Sequence, residues 1–518
     1  MIWRSVRGFA FNPCLAVRRL AAALLLLLSA GMASAVQVDL PRPEGSVAFG
    51  TLVKVLPNGN MVVTDPEHPE GGAAYLFSPD GQMISRVTGV MGPPGQDYSV
   101  VSRFGLKVTV LTNGNYVIWY PDWSTETEAR VGMAAWASGT QGLSGKISAA
   151  NALVGRRAED HVAVSGVTPL ANGHYVVGSP DWSNNGLDRA GAATWADGTK
   201  GITGYVSPAN SLVGDRAGDH VAWSTIPLRN GNYVLSHSGW SPEGLKLPAF
   251  TWADGTRGLT GVVSLANSLM VPTPDDALAN YVTPLPNGNY VLGLPFLDDG
   301  DKPDLGVVIL ADGTRPLTGM ATIDMGLHGT EPYSHVGYPA SEPLASGHVV
   351  VISASWNGPL GPEQGAVTWM DGRSGRKEAV SQYNSLVGSG PFQYLGDDPV
   401  YVVKGVTALA NGHYVVASPR WDDASGEELG AVTWGDGFRG STGLVTRENS
   451  IVGQTAGDLL GLHSWHAVLP LRNGNYVITS PRWQVSPGQQ RGAVTWAEGG
   501  RRTVGEVGVH NSLVGASS

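Results

Sequence analysis

One short phrase recurs eight times between Leu56 and Ile478, and it restricts the fold more than any other feature of the chain. A leucine is followed by a two-residue turn and then by an apolar run. The phrase reads LPNGNMVV from Leu56, LANGHYVV from Leu170, LPNGNYVL from Leu285 and LRNGNYVI from Leu471. Its turn glycines (Gly59, Gly114, Gly173, Gly231, Gly288, Gly347, Gly412, Gly474) lie 55 to 65 residues apart. Asn-Gly between apolar runs is a strong hairpin signal, because a type I′ turn needs positive φ at both central residues. A period of this length marks a repeat architecture whose units cannot bury their faces alone.

The third repeat shows the plan. Val162–Leu170 reads as a strand, Asn172-Gly173 as its turn and His174–Trp182 as a second strand running into a polar loop. Ala190–Gly198 reads as a third strand ending in an Asp-Gly turn, and Gly201–Gly214 as a fourth strand followed by a connector. Helical periodicity is absent throughout, and strands bounded by Gly, Asn, Asp and Pro dominate. The expected fold is all-β, an eight-bladed β-propeller of four-stranded antiparallel blades, with a β-solenoid as the alternative. The repeats are placed near 46–98, 99–155, 156–214, 215–271, 272–329, 330–388, 389–453 and 454–515, in one domain spanning 36–518. Val36–Leu40 is read as a strand that could join the last blade and close the ring.

Residues 1–35 read as a secretory leader, with a basic start (Arg4, Arg7, Arg18, Arg19), an apolar stretch (Leu20–Leu28) and a small-residue cleavage site near Ala35. The expected location is therefore secreted, periplasmic or at the cell surface. The only cysteine, Cys14, lies in that leader, so the remaining chain has no disulfide and no thiolate ligand. The formal charge of −10 becomes −14 once the four leader arginines are removed. That balance argues against nucleic acid, which is bound through clustered Lys and Arg. No later stretch is long enough for an apolar membrane-spanning helix.

Spacing separates the rigid part of each repeat from the elastic part. From the first-turn glycine to the second-turn glycine is 22 residues in the first unit, 24 in the fourth and 25 in the other six. From there to the next first turn the gap is 33 or 34 five times, then 40 and 37. Length changes thus collect in the connector, which together with the loop between strands two and three forms the expected binding side. Twelve tryptophans occupy two repeat-locked positions: Trp136, Trp195, Trp252, Trp369, Trp434 and Trp496 on the third strand, and Trp123, Trp182, Trp240, Trp356, Trp421 and Trp483 nine residues after a turn glycine. Such regularity points to packing between units.

Four histidines, His161, His220, His335 and His463, lie 11 or 12 residues before a turn glycine. A rim of imidazoles there could bind a metal or act as acid and base. The connectors also carry Phe392, Tyr394, Tyr401 and Trp465, rings suited to stacking on a ligand. Asp181, Ser183, Asn185 and Asp188 around Gly186 follow the alternating oxygen spacing of calcium loops, and calcium is the only cofactor the sequence suggests. No nucleophile elbow, zinc-protease helix or phosphate-cradling glycine loop is present, and no catalytic residue is assigned.

The strings VTPLANGHYVVGSPDW, GAATWADGTKGITGYVSPANSLVG and GAVTWGDGFRGSTGLVTRENSIVG resemble a tandem repeat of unknown function. It occurs in large secreted or surface bacterial proteins, including ones similar to filamentous haemagglutinin. The likeness runs from about Ser46 to Gly515 and is weakest in the first and fifth units. It implies an extracytoplasmic, propeller-like scaffold and transfers no catalytic residue. The expected function is a non-enzymatic binding or adhesion scaffold for a surface glycan or an extracellular protein. The alternatives are an extracytoplasmic hydrolase, lyase or oxidoreductase with its site at the channel mouth, and a spacer in a cell-envelope assembly.

Overall fold

Eight small sheets of four or five strands, one per repeat, follow one another along the chain. The computed structural model describes residues 38–93, 105–240, 247–273, 280–398, 403–423, 428–462 and 467–516, where the only helix is a turn of 3-10 at Ile323–Met325. Residues 1–35, read from the sequence as a secretory leader, lie outside the described residues. In unit 3, Gly166–Pro169, Tyr175–Ser179 and Ala192–Ala196 form the expected antiparallel meander. Gly173 takes the first turn at φ 92°.

The fourth strand differs from the sequence reading. Leu212–Val213 pairs with the unit's own third strand, whereas Gly204–Tyr205 pairs in parallel with Leu153–Val154 of unit 2. The third strand's edge is already taken by Leu212–Val213, so the free edge open to Gly204–Tyr205 is the neighbour's. This exchange links unit 1 to unit 2, unit 3 to unit 4, unit 4 to unit 5, unit 6 to unit 7 and unit 7 to unit 8. Units 5 and 6 share a single parallel bridge, His328 to Ala379. In the units so linked, the edge of the last strand is covered by the next unit.

Both faces of an internal sheet are covered, which is why the apolar runs do not alternate with polar residues. In unit 3, Tyr175 and Val177 face back onto Leu111, Val117 and Ala134 of unit 2. Val176 and Ala193 face forward onto Tyr233, Leu235 and Ala249 of unit 4. The two turns of one unit stack on each other. A Cβ on Gly255 would lie 1.7 Å from the Gly231 carbonyl oxygen, and Gly139, Gly198, Gly313, Gly372, Gly437 and Gly499 are as tightly confined, at 1.7 to 2.0 Å. This contact accounts for the near-constant spacing between the turns.

The carbonyl of the second-turn glycine is also where the units join. Gly198 accepts from Trp136 Nε1 (2.9 Å) and Asn113 Nδ2 (2.8 Å) of the preceding unit. Gly255 accepts from Trp195 (2.9 Å) and Asn172 (2.8 Å), and Gly313 from Trp252 (2.9 Å) and Asn230 (2.7 Å). Trp369 and Trp434 donate likewise to Gly437 (3.0 Å) and Gly499 (2.8 Å). The six tryptophans of the other set are all buried. Three of them donate to main-chain oxygens of Gly89, Val445 and Val507.

The end units depart from this pattern. The outward face of unit 1 (Val63, Ala73, Tyr75, Phe77) is covered by Leu40 and Phe49 of the preceding segment. Residues 38–40 form no strand and lie against Gly81 of unit 1, so the described part of the proposed closing strand belongs to the first unit. The reason is the apolar face of unit 1, which these residues cover. Among the described residues no strand pairing joins unit 8 to unit 1. The outward face of unit 8 is open, with Trp496 56% and Leu513 79% exposed.

Gly255→Ala should destabilise the protein by roughly 2 kcal/mol or more, because the clash is with backbone that cannot rotate away. Gly500→Ala should shift stability by less than about 0.5 kcal/mol, since nothing lies within 4 Å of its Cβ. Denaturant midpoints of the two variants provide the check.

Candidate functional site

In a three-stranded meander the first and second turns share one end of the sheet, so the loop between strands two and three lies at the other. The connectors run to that second end, and five of them have the same backbone. Every second residue takes a positive φ: Glu159, His161 and Ala163 in one, Tyr333, His335 and Gly337 in another, Phe392, Tyr394 and Gly396 in a third. Gly218, His220 and Ala222 repeat the pattern, as do Gly457, Leu459 and Gly461. Non-glycine residues in this region cost of order 1 kcal/mol or more each and persist only where the surroundings hold them.

Main-chain hydrogen bonds do the holding. His161 N donates to Arg130 O (3.1 Å), His220 N to Arg189 O (3.0 Å), His335 N to Asp304 O (3.0 Å), Tyr394 N to Glu363 O (3.1 Å) and Leu459 N to Glu428 O (3.0 Å). A buried acceptor fixes the approach. Asp160 takes the N–H groups of Arg156 (2.8 Å) and Arg157 (2.9 Å), and of Ser183 (3.1 Å) in the following loop. Asp458 takes those of Gln454, Thr455 and Gln484, each at 2.9 Å. Burial pushes both carboxyls up, while these N–H donors pull them down. Asp219 occupies the same place, bonded to Asp215 N and Arg216 N. Asp160 and Asp219 therefore hold the turn and are not presented to a ligand.

The described candidate histidines contact groups of their own junctions. His161 Nδ1 lies 3.6 Å from Asp122 and its Nε2 3.0 Å from Glu159. His220 is 3.9 Å from Asp181 and edge-on to Trp223 at 5.9 Å. His335 is 3.7 Å from Asp304, and burial lowers its pKa. Among the described residues no three His, Cys, Asp or Glu side chains converge as a metal centre would require. Tyr394 donates its hydroxyl to Glu363, with the Arg420 guanidinium 5.5 Å above its ring, and Phe392 is exposed. His463, Tyr401 and Trp465 lie outside the described residues.

The loop read as a calcium site is a tight hairpin. Asn184 and Leu187 exchange main-chain bonds across Asn185 (φ 50°) and Gly186 (φ 94°). Asp181 faces His220, Ser183 N donates to Asp160, and the Asp188 carbonyl accepts from Gly218 N (2.9 Å). The alternating oxygens thus surround a two-residue turn between strand ends.

One aromatic cluster was not foreseen from the sequence. Around His335 stand Phe296 (5.1 Å between ring centres), Tyr333 (6.4 Å) and Tyr338 (6.5 Å). Tyr333 is 57% and Tyr338 40% exposed. Trp223 holds the place equivalent to Tyr338 and is 47% exposed. The available signal was position: Trp223 and Tyr338 each lie three residues after a candidate histidine.

The strand exchange, the stacked turns and the connector geometry recur from unit to unit, and a family model matches on the same period, at 110–164, 169–223, 227–280, 284–338, 343–397, 408–462 and 470–518. The chain belongs to the family described as a repeat of unknown function, DUF5650. Seven units are matched; the first, with its covering segment and longer fourth strand, is not among them. The chain's fifth unit is matched, at 284–338, although its sequence departs from the others. No curated protein matches. Among solved structures, a putative 6-phosphogluconolactonase from Bacteroides uniformis shares 11% identity, with 79% of this chain and 96% of that one covered and a TM-score of 0.29. A protein of unknown function from Bacteroides caccae shares 12% identity, with 67% and 93% covered and a TM-score of 0.21.

One buried titratable group anchors a connector. In unit 3, Ser179 Oγ accepts the N–H of Ala163 (3.1 Å), and in unit 6, Ser353 Oγ accepts that of Gly337 (3.1 Å). Unit 4 places His237 there, with Nδ1 accepting from Ala222 N (3.2 Å) and Nε2 2.7 Å from Thr251 Oγ1. Complete burial lowers its pKa from 6.5 to about 3. Above pH 6.5 the ring is neutral whether folded or unfolded, so stability is unaffected. As the pH falls from 6.5 towards 3 the unfolded chain alone gains the proton, and stability drops by up to about 1.4 kcal/mol per pH unit. His237→Ser should flatten this dependence, as read from urea midpoints between pH 7 and pH 4.

Proposed function

We propose that this protein is a non-enzymatic binding scaffold of propeller type that acts outside the cytoplasm and recognises a surface glycan. One observation carries the reading: five connectors share a backbone but display different side chains. The position held by Glu159 is Tyr333 and Phe392 elsewhere, and the one held by His161 is Tyr394 and Leu459. A rigid frame with interchangeable side chains is the arrangement of a recognition surface. Its exposed rings, Trp223, Tyr333, Tyr338 and Phe392, offer flat apolar faces suited to stacking on sugar rings. The first strands of neighbouring units lie side by side, which supports a propeller-type arrangement. The leader-like residues 1–35 support export.

The test is a glycan array, followed by titration of the strongest ligand. Replacing Trp223, Tyr333 and Phe392 together by alanine should weaken binding by at least about tenfold, as losing one or more hot-spot aromatics does. The melting temperature should not change, because the three rings project from the surface. Undiminished binding by this variant would refute the connector face as the recognition surface. Binding to an extracellular protein with no glycan bound would transfer the reading to a protein ligand.

A further inference from the structure

We propose that the open face of unit 8 is a docking surface for a second copy of this chain, which it takes by the unit 1 end, head to tail. The face repeats an interface already present at seven junctions. In unit 7 the forward face consists of Leu409, Val415, Val432 and Ile451, all at most 2% exposed because unit 8 covers them. Their equivalents in unit 8 are Leu471, Val477, Val494 and Leu513, of which Val494 is 43% and Leu513 79% exposed. Trp434 donates its indole N–H to Gly499 of the next unit, whereas Trp496, its equivalent, is 56% exposed. Unit 8 thus presents the apolar surface and the indole donor that elsewhere receive a following unit.

A repeat whose outer face has no neighbour stays soluble when that face is polar. Units 1 and 8 both turn apolar side chains outward. Thirteen of the 24 exposed large hydrophobic residues belong to the two end units and the segment covering unit 1. At the unit 1 end Val53 (48%), Val55 (65%) and Met83 (50%) flank the part covered by Leu40 and Phe49. Register places Val53 beside Val63 and Val55 beside Met61, so these valines share the outward face.

Charge selects the partner. Residues 467–516 carry five arginines (Arg472, Arg482, Arg491, Arg501, Arg502) and two glutamates, a basic unit in a chain of net charge −10. Residues 38–93 carry six acidic groups and three basic ones. Two unit 8 ends carry net charge of the same sign and repel, whereas a unit 8 end and a unit 1 end carry opposite net charge and attract. Within one chain the two ends share no sheet and no core cluster among the described residues. The occupant is therefore the unit 1 end of another copy. Such a contact is heterologous and extends to larger assemblies unless it closes into a ring.

Light scattering of the full chain over about a hundredfold range of concentration should show reversible association. Raising NaCl from about 0.05 M to about 0.5 M should weaken it at least about tenfold. A Trp496→Glu, Leu513→Glu variant and a Val53→Lys, Val55→Lys variant should each be monomeric with unchanged melting temperature. Mixed, they should form a one-to-one complex and nothing larger, since each retains one intact end. A wild type that stays monomeric at every concentration overturns the proposal, including one whose ends close on each other. So does association that survives in the Val53→Lys, Val55→Lys variant, which would mean pairing of two unit 8 faces, and so does a mixture that forms no complex.

Discussion

The carbonyl oxygen of the second-turn glycine holds the array together. It can be reached only because the residue has no side chain: the turn lies so close to the first turn that a Cβ would overlap its carbonyl. At Gly198, Gly255 and Gly313 it accepts an indole N–H and an amide N–H from the preceding unit. Each such bond contributes about 1 kcal/mol net. Its larger effect is geometric, because a fixed acceptor and a rigid indole set how one sheet sits on the next. The apolar faces then meet in one register, and the parallel strand exchange at the far edge completes the join.

Everything on the opposite end of the sheets depends on that alignment. The connectors hold a backbone of alternating positive φ that a free chain would abandon. They keep it because each is bonded to the loop of the preceding unit, and where Asp160 and Asp458 accept from Ser183 and Gln484, to the loop of the following unit as well. The side chains carried by this frame are then free to differ, and they do: glutamate, tyrosine and phenylalanine occupy one position, histidine, tyrosine and leucine another. The same logic explains the ends. Unit 1 has a covering segment in place of a neighbour, and unit 8 keeps the full chemistry of a forward face.

Much of the fold was legible because repetition turns weak local signals into measured spacings. The Asn-Gly turns, the three-stranded meander and the near-constant distance between turns followed from counting. The chemistry of the connectors was harder to read. His161, His220 and His335 looked like one rim because they share a sequence position, yet each contacts groups of its own junction. Asp160 and Asp219, each one residue before a candidate histidine, point inward to cap backbone N–H groups. The Asp181–Asp188 loop matched a calcium spacing, although a two-residue turn produces the same alternation of oxygens. In each case position along the chain was clear, but the direction of the side chain depended on a neighbouring loop.

By itself the sequence determined the repeat, its strands and turns, and the split between a rigid half and an elastic half. These depend on interactions within about 25 residues, where turn stereochemistry and apolar patterning suffice. Only the tertiary structure decided which unit owns each short strand, which donor meets each glycine carbonyl and which faces remain uncovered. Those contacts join residues about 60 to 85 positions apart. No local pattern encodes them, because they exist only once two finished sheets have been placed against each other.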